Sequence, residues 1–267
     1  MRKLRDALRS ALFILWMIVT VVPWGIMMCT LSIVLRGKPM FWLAAGWLKI
    51  ALFGARNICG ITHRIQGWEH IEAAHREGRQ IILCSKHQST WETFFYPTVM
   101  PRELSYVFKR ELIYVPFFGW SMARLDMVHI DRSKGSAAWE RVARQGADFL
   151  GKGYWIIMFP EGTRIPRGQA GNYKTGAARL SISSGAAIVP IAVNSARHWP
   201  KKGFVKTPGV IDVSFGAPIA PAGHTPESLM AQVQDWIEAE MRRIDPQAYA
   251  GEASQPSAPP MRASRAG

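Results

Sequence analysis

The chain has 267 residues and a formal net charge of +14, which allows one substantial core with appendages and excludes two full-sized domains. The charge calls for an anionic partner: nucleic acid, a membrane surface or a phosphorylated substrate. Cys29, Cys59 and Cys84 are odd in number and scattered, which excludes a disulfide framework and a cysteine-paired zinc site and fits a reducing compartment.

In chain order, Ser10 to Leu35 contains no charged residue, and as straight helix it covers about 39 Å, enough to enter a bilayer. Pro23-Trp24-Gly25 interrupts it near the middle. Basic residues flank both ends, Arg2, Lys3, Arg5 and Arg9 before it and Arg36 and Lys38 after it, so the positive-inside rule favours neither orientation. A kinked spanning helix and a hairpin that dips into one leaflet both fit, whereas a cleaved signal peptide lacks a small-residue cleavage site. Met40 to Phe53 reads as an interfacial helix with Lys49 snorkelling.

From Gly60 short apolar runs alternate with helical periods, which predicts an α/β fold: a mixed, mostly parallel sheet flanked by helices, following an N-terminal membrane-associated helical segment. Predicted strands are Ile61 to Gln66, Gln80 to Cys84, Leu104 to Phe108, Met127 to Ile130, Tyr154 to Phe159, Ala187 to Val193 and Val210 to Phe215. Trp139, Val142, Ala143, Gly146, Phe149 and Leu150 recur at helical spacing and predict a helix that covers one sheet face. Thr225-Pro226-Glu227 predicts the start of a last helix running to about Ile244. The expected organisation is membrane-associated helices over 1–55, the α/β domain over 56–246 and a disordered tail over 247–267, low in complexity from Gly251.

Residues with chemical potential cluster at predicted strand ends. In Ser85-Lys86-His87-Gln88-Ser89-Thr90-Trp91-Glu92 a histidine and a carboxylate lie five positions apart. On one regular helix they diverge by roughly 140°, so they meet only if His87 sits in a turn ahead of a helix carrying Glu92, capped at Ser89 or Thr90. A carboxylate on one imidazole nitrogen leaves the other free to take a proton. Cys84, three residues earlier at the end of an apolar strand, reads as a buried thiol. Lys109 and Arg110, within Phe108-Lys109-Arg110-Glu111-Leu112, suit a phosphate or form a solvated basic turn. Phe159-Pro160-Glu161-Gly162-Thr163-Arg164 follows a very apolar strand; there Glu161 and Arg164 are expected to reach outward, arginine offering a fork for phosphate oxygens. Ile188-Val189-Pro190-Ile191 reads as a structural strand, with Lys174 between these last two clusters.

Together these clusters closely resemble the glycerolipid acyltransferase family, specifically the 1-acyl-sn-glycerol-3-phosphate acyltransferases. The resemblance covers about Gly60 to Phe215 and includes, in order, His-x4-acid at His87 to Glu92, Lys-x-Glu-Leu with Pro-x-x-Gly at Lys109 to Gly119, Phe-Pro-Glu-Gly-Thr-Arg at Phe159 to Arg164, and Val-Pro-Ile at Val189 to Ile191. It implies transfer of an acyl chain from acyl-CoA or acyl-carrier protein to the sn-2 hydroxyl of lysophosphatidic acid, forming phosphatidic acid. His87 is then the base and Glu92 its orienter. Lys109 and Arg164 hold the acceptor's phosphate, Glu161, Gly162 and Thr163 shape that pocket, and Arg110 is a further candidate. No metal and no cofactor beyond the acyl donor is expected, and the expected location is the inner membrane with the catalytic domain on its cytoplasmic side.

The family usually carries aspartate where this chain has Glu92, and related enzymes acting on lipid A can use glutamate there. Rival readings are a metal-dependent hydrolase built on His87, Glu92, His129 and Asp131, the last two sharing a strand face, a non-enzymatic membrane scaffold, and a nucleic-acid binder, for which no recognised motif is present.

Overall fold

A computed structural model describes residues 2–109, 114–130 and 135–250. Helix α1 (Arg2–Leu31) continues through Pro23 without a break, and α2 (Lys38–Cys59) starts at a proline in its first turn and ends on Gly60, whose φ of 72° gives a left-handed cap. The two helices pair antiparallel. Trp16 Nε1 donates to the Ile50 carbonyl (3.1 Å), Trp47 Nε1 to Thr20 Oγ1 (3.3 Å) and Trp24 Nε1 to the Leu43 carbonyl (3.1 Å). The hairpin therefore turns between α1 and α2. A reversal at Pro23 is not what happens, because a proline kink forfeits few bonds when tryptophans on both sides of it are anchored to a partner helix. Leu4, Leu8, Leu12, Leu15 and Val19 form an exposed apolar stripe on α1, and Ile33 and Val34 at the hairpin tip are 78% and 82% exposed. Among the described residues α1 is the one helix long and apolar enough to cross a membrane.

The α/β domain follows with β1 (Ile61–Gln66), α3 (Trp68–Arg76), β2 (Ile81–Ser85), α4 (Trp91–Val99), β3 (Leu104–Lys109), α5 (Phe118–Met122), β4 (Val128–Ile130), α6 (Gly135–Gly151), β5 (Trp155–Met158), α7 (Gly176–Ser184), β6 (Ala187–Val193), β7 (Gly209–Phe215), α8 (Pro226–Ile244) and α9 (Pro246–Tyr249). All the predicted strands form, within a residue or two of their predicted ends. They make one sheet in the order β1-β7-β6-β2-β5-β3-β4. Every pairing is parallel except β6 with β7, the mixed, mostly parallel sheet the pattern predicts.

Strand pleating sends alternate residues to two cores. Ile81 and Leu83 of β2, Ile157 of β5 and Val189 and Ile191 of β6 face a core shared with α2, α3 and α4 through Trp47, Ile71, Trp91, Phe94 and Phe95. Ile82, Ile156, Ile188 and Ala192 face a second core with α7 and α8 through Ala178, Leu180, Val233 and Ile237. Strands buried on both faces read as continuous apolar runs, which is why Tyr154 to Met158 carries no alternation. Helix α8 opens with the expected cap: Thr225 Oγ1 accepts from Ser228 N, and Ser228 Oγ accepts from Thr225 N. Such a box contributes about 1 kcal/mol. Two expected boundaries move. Helix α2 runs on to Cys59, and Tyr249, 6% exposed, packs into the second core, so ordered chain extends past 246. Residues 251–267 lie outside those described.

Topology places the site. The chain leaves β2 through α4 on one face toward β3, and leaves β5 through α7 on the other face toward β6. Segments leaving neighbouring strands on opposite faces open a crevice at their carboxyl ends, the usual binding place in such sheets.

Candidate active site

His87 lies in the turn after β2, ahead of α4, as its spacing from Glu92 requires. His87 Nδ1 is 3.1 Å from Glu92 Oε1. The same oxygen accepts the backbone N–H groups of Gln88 (2.6 Å) and Ser89 (2.7 Å). The carboxylate thus caps its own helix while it orients the histidine. Thr90 is the cap residue by position but makes no side-chain capping bond, and Ser89 Oγ accepts from Trp91 N at 2.8 Å. Glu92 is fully buried. Burial pushes its carboxyl pKa up, but the bonds from His87, Ser89 and Ser195 outweigh that and leave it lowered. An ionised carboxylate only accepts, so Nδ1 carries the proton and Nε2 is free to take one. The imidazole is stacked on Phe159, centroids 3.9 Å apart and planes 23° apart, which fixes the ring's plane.

The loop after β5 clamps His87 from both sides. Glu161 Oε2 accepts from His87 N (2.9 Å), and Ile165 N donates to the His87 carbonyl (2.7 Å). Gly162, with φ of 66°, makes the tight reversal between these contacts. Glu161 was expected to reach outward and does not: it is 4% exposed and its Oε1 stands 2.7 Å from Lys86 Nζ. Lys86, fully buried, also meets Glu238 Oε1 of α8 at 2.7 Å and the Gln169 carbonyl at 3.0 Å. Tyr173 OH donates to the same Glu238 oxygen (2.8 Å). Burial is the main cause that holds the Glu161 carboxyl above its ordinary value, with Lys86 opposing it, and burial likewise keeps the Tyr173 phenol protonated. Three buried charges thus tie the histidine turn, the Glu161 loop and α8 together.

His87 opens onto a cavity of about 850 Å³ between the α1–α2 hairpin and the sheet. One wall is apolar, with Met17, Val21, Trp24, Ala44, Leu48 and Phe94; near His87 the lining includes Thr163, Arg164, Lys174 and Lys201. Arg164 Nε is buried with no hydrogen-bond partner, and Lys201 Nζ donates to Thr163 Oγ1 (3.3 Å) and the Arg164 carbonyl (2.8 Å). An unpartnered buried guanidinium nitrogen costs energy unless an acceptor arrives, so this lining fits an anion.

Of the residues picked out in the sequence, His87, Glu92, Gly162, Thr163 and Arg164 therefore converge, and Glu161 braces from beneath. Lys109 ends β3 at the same carboxyl edge of the sheet, but its side chain, and Arg110 entirely, lie outside the described residues. So do the His129 side chain and Asp131 of the rival metal set. Among the described residues no group of three or more His, Cys, Asp or Glu side chains is placed to share a metal. Cys84 is fully buried on the α7–α8 face, and burial pushes its thiol up, which leaves it protonated. Sequence reasoning missed Lys86, Ser195, Lys201 and Glu238. Lys86 adjoins His87 and could have been flagged, but the others carry no local signal.

A family model described as Acyltransferase matches residues 63–194. A Pseudomonas aeruginosa 1-acyl-sn-glycerol-3-phosphate acyltransferase is 37% identical over 90% of this chain and 93% of its own. The enzyme of that name from Limnanthes douglasii is 29% identical over 83% of this chain and 75% of its own, and the human alpha form 26% identical over 69% and 64%. The crystal structure of the 1-acyl-sn-glycerophosphate acyltransferase from Thermotoga maritima superposes with a TM-score of 0.72, covering 92% of this chain and 98% of that one at 22% identity, which establishes the shared fold. With its histidine–carboxylate pair intact and a relative this similar over nearly its whole length, the chain belongs to the 1-acyl-sn-glycerol-3-phosphate acyltransferase family.

Proposed function

We propose that this acyltransferase moves an acyl chain from the thioester of coenzyme A or acyl-carrier protein to the sn-2 hydroxyl of 1-acyl-glycerol-3-phosphate, forming phosphatidic acid. The observation that carries the reading is the His87–Glu92 pair set against a cavity that is apolar along one wall and cationic beside the histidine. His87 Nε2 takes the hydroxyl proton as the oxygen attacks the thioester carbon, and Glu92 stabilises the imidazolium. When the tetrahedral intermediate collapses, the C–S bond breaks and the imidazolium returns the proton to the departing thiolate. Arg164, with Lys174 and Lys201, holds the phosphate, while acyl chains occupy the apolar part. Glu161 acts through the His87 backbone, not on substrate, and no metal or further cofactor takes part.

The exposed apolar stripe of α1 and the hairpin tip support membrane attachment through the α1–α2 hairpin; the reading that the catalytic domain lies on the cytoplasmic face of the inner membrane follows from the proposed role in phosphatidic acid formation. Glu92 in place of the usual aspartate keeps a lipid A-type or other lysophospholipid acceptor as the second reading. A panel of lysolipid acceptors offered with one labelled donor tests both. Lysophosphatidic acid should be acylated fastest, with His87→Ala lowering turnover by about 10²- to 10⁴-fold. Near-normal turnover of that variant refutes the mechanism, and preference for another acceptor refutes the substrate.

A further inference from the structure

Glu92 has two oxygens with different company. Oε1 serves His87, Gln88 and Ser89, whereas the hydrogen bond to Oε2 comes from Ser195 Oγ at 2.7 Å. Ser195 is fully buried and opens a 3-10 turn (Ser195–Arg197) at the carboxyl end of β6, the parallel neighbour of β2. It is held firmly. Its carbonyl accepts from Trp199 N (2.9 Å), and the preceding Asn194 Nδ2 donates to Asp212 Oδ2 (3.2 Å) and the Ile244 carbonyl (3.1 Å). A hydroxyl fixed by the sheet thus meets the carboxylate on the side away from the histidine.

We propose that Ser195 is a positioning residue for acyl transfer, the third member of a His87–Glu92–Ser195 relay that keeps the carboxylate plane aligned beneath the imidazole. The inference rests on His87 being the base. A carboxylate held at only one oxygen can rotate about its terminal torsion, which is broad for glutamate, and rotation takes Oε1 away from Nδ1. Ser195 blocks that rotation. The relay also gives the glutamate at position 92 a physical reason. An aspartate draws the carboxylate back by up to about 1.5 Å, one C–C bond, and cannot satisfy the turn amides and Ser195 together. The other titratable groups facing Glu92 are Tyr96 on α4 and Tyr106 on β3, both pushed up by burial, which leaves both phenols protonated.

The test is a double-mutant cycle on the purified full chain with saturating donor, reading kcat, acceptor KM and the pH profile. Ser195→Ala should lower kcat about 10- to 100-fold, the worth of a charge-assisted hydrogen bond, leave acceptor KM within about twofold, and move the acid limb of the profile to higher pH, because a less stabilised carboxylate protonates more readily and binds the imidazolium more tightly. Ser195→Cys, nearly the same size and a weaker donor, should fall between, and carries the test if the alanine variant does not fold. In a Glu92→Asp background the loss from Ser195→Ala should shrink to about twofold or less. An unchanged kcat and pH profile, or an undiminished loss in the Glu92→Asp background, overturns the relay. His87→Ala in the same assay keeps the two readings apart: if it is inactive while Ser195→Ala is normal, the base stands and the relay falls.

Discussion

Replacing Lys86 by methionine tests whether the buried charge brace holds the histidine turn. Its ammonium, with no solvent exposure, stands 2.7 Å from Glu161 Oε1 and 2.7 Å from Glu238 Oε1. Methionine fills much of the volume but leaves two buried carboxylates facing each other. Removing one partner of a buried ion pair costs about 3–5 kcal/mol, a large share of the ~5–15 kcal/mol that stabilises a typical domain, and in a chain of this size lowers Tm by roughly 6 to 20 °C. Glu238→Gln should cost far less, about 1 kcal/mol, since its amide oxygen still accepts from Lys86 and Tyr173 and one negative charge is gone. The triple variant Lys86→Met/Glu161→Gln/Glu238→Gln should recover at least half of the loss, because removing all the charges removes the uncompensated burial. Thermal scans of the detergent-purified protein measure all three. A Lys86→Met variant within about 1 kcal/mol of wild type, or a triple variant no better than the single one, refutes the brace.

Arg164→Ala should raise the acceptor KM about 10- to 100-fold, the equivalent of one charge-assisted contact to phosphate, with kcat largely kept; an unchanged dependence on lysophosphatidic acid concentration removes Arg164 from the phosphate site. Tm measured against pH should show two opposed carboxylate effects. Glu92, lowered in the fold, contributes stability present above its unfolded pKa and lost as pH falls through the folded one, so Glu92→Gln removes that acid loss. Glu161, raised in the fold, makes stability decline as pH rises from its unfolded value through its folded one, and Glu161→Gln should flatten that decline; an unaltered slope in either variant refutes the assignment. Ala44→Phe narrows the apolar wall of the cavity, and each donor methylene shut out should cost about 0.8 kcal/mol, or roughly fourfold in kcat/KM. A donor series with unchanged chain-length preference places the acyl chain elsewhere.

The sequence by itself determined the strands, the α8 start, the unusual turn that joins His87 to Glu92 and the family. These depend on spacing over a few residues: apolar runs of strand length, a Thr-Pro cap, and a five-residue step that only a turn can close. Only the tertiary structure decided the partners. Ser195 lies 103 residues from Glu92 and Glu238 lies 152 from Lys86, and they meet because β6 inserts beside β2 and α8 packs on the face opposite α4. That strand order leaves no local trace, since fully buried parallel strands are apolar whichever neighbours they have. For the same reason Glu161, read along the chain as an outward charge, turned inward: its direction is set by Lys86, which the fold brings beneath it. Of the two readings open for the N-terminal segment, a kinked continuous helix and a hairpin, the chain alone could not choose, because the tryptophan bonds that pair a continuous α1 with α2 span 19 to 34 residues.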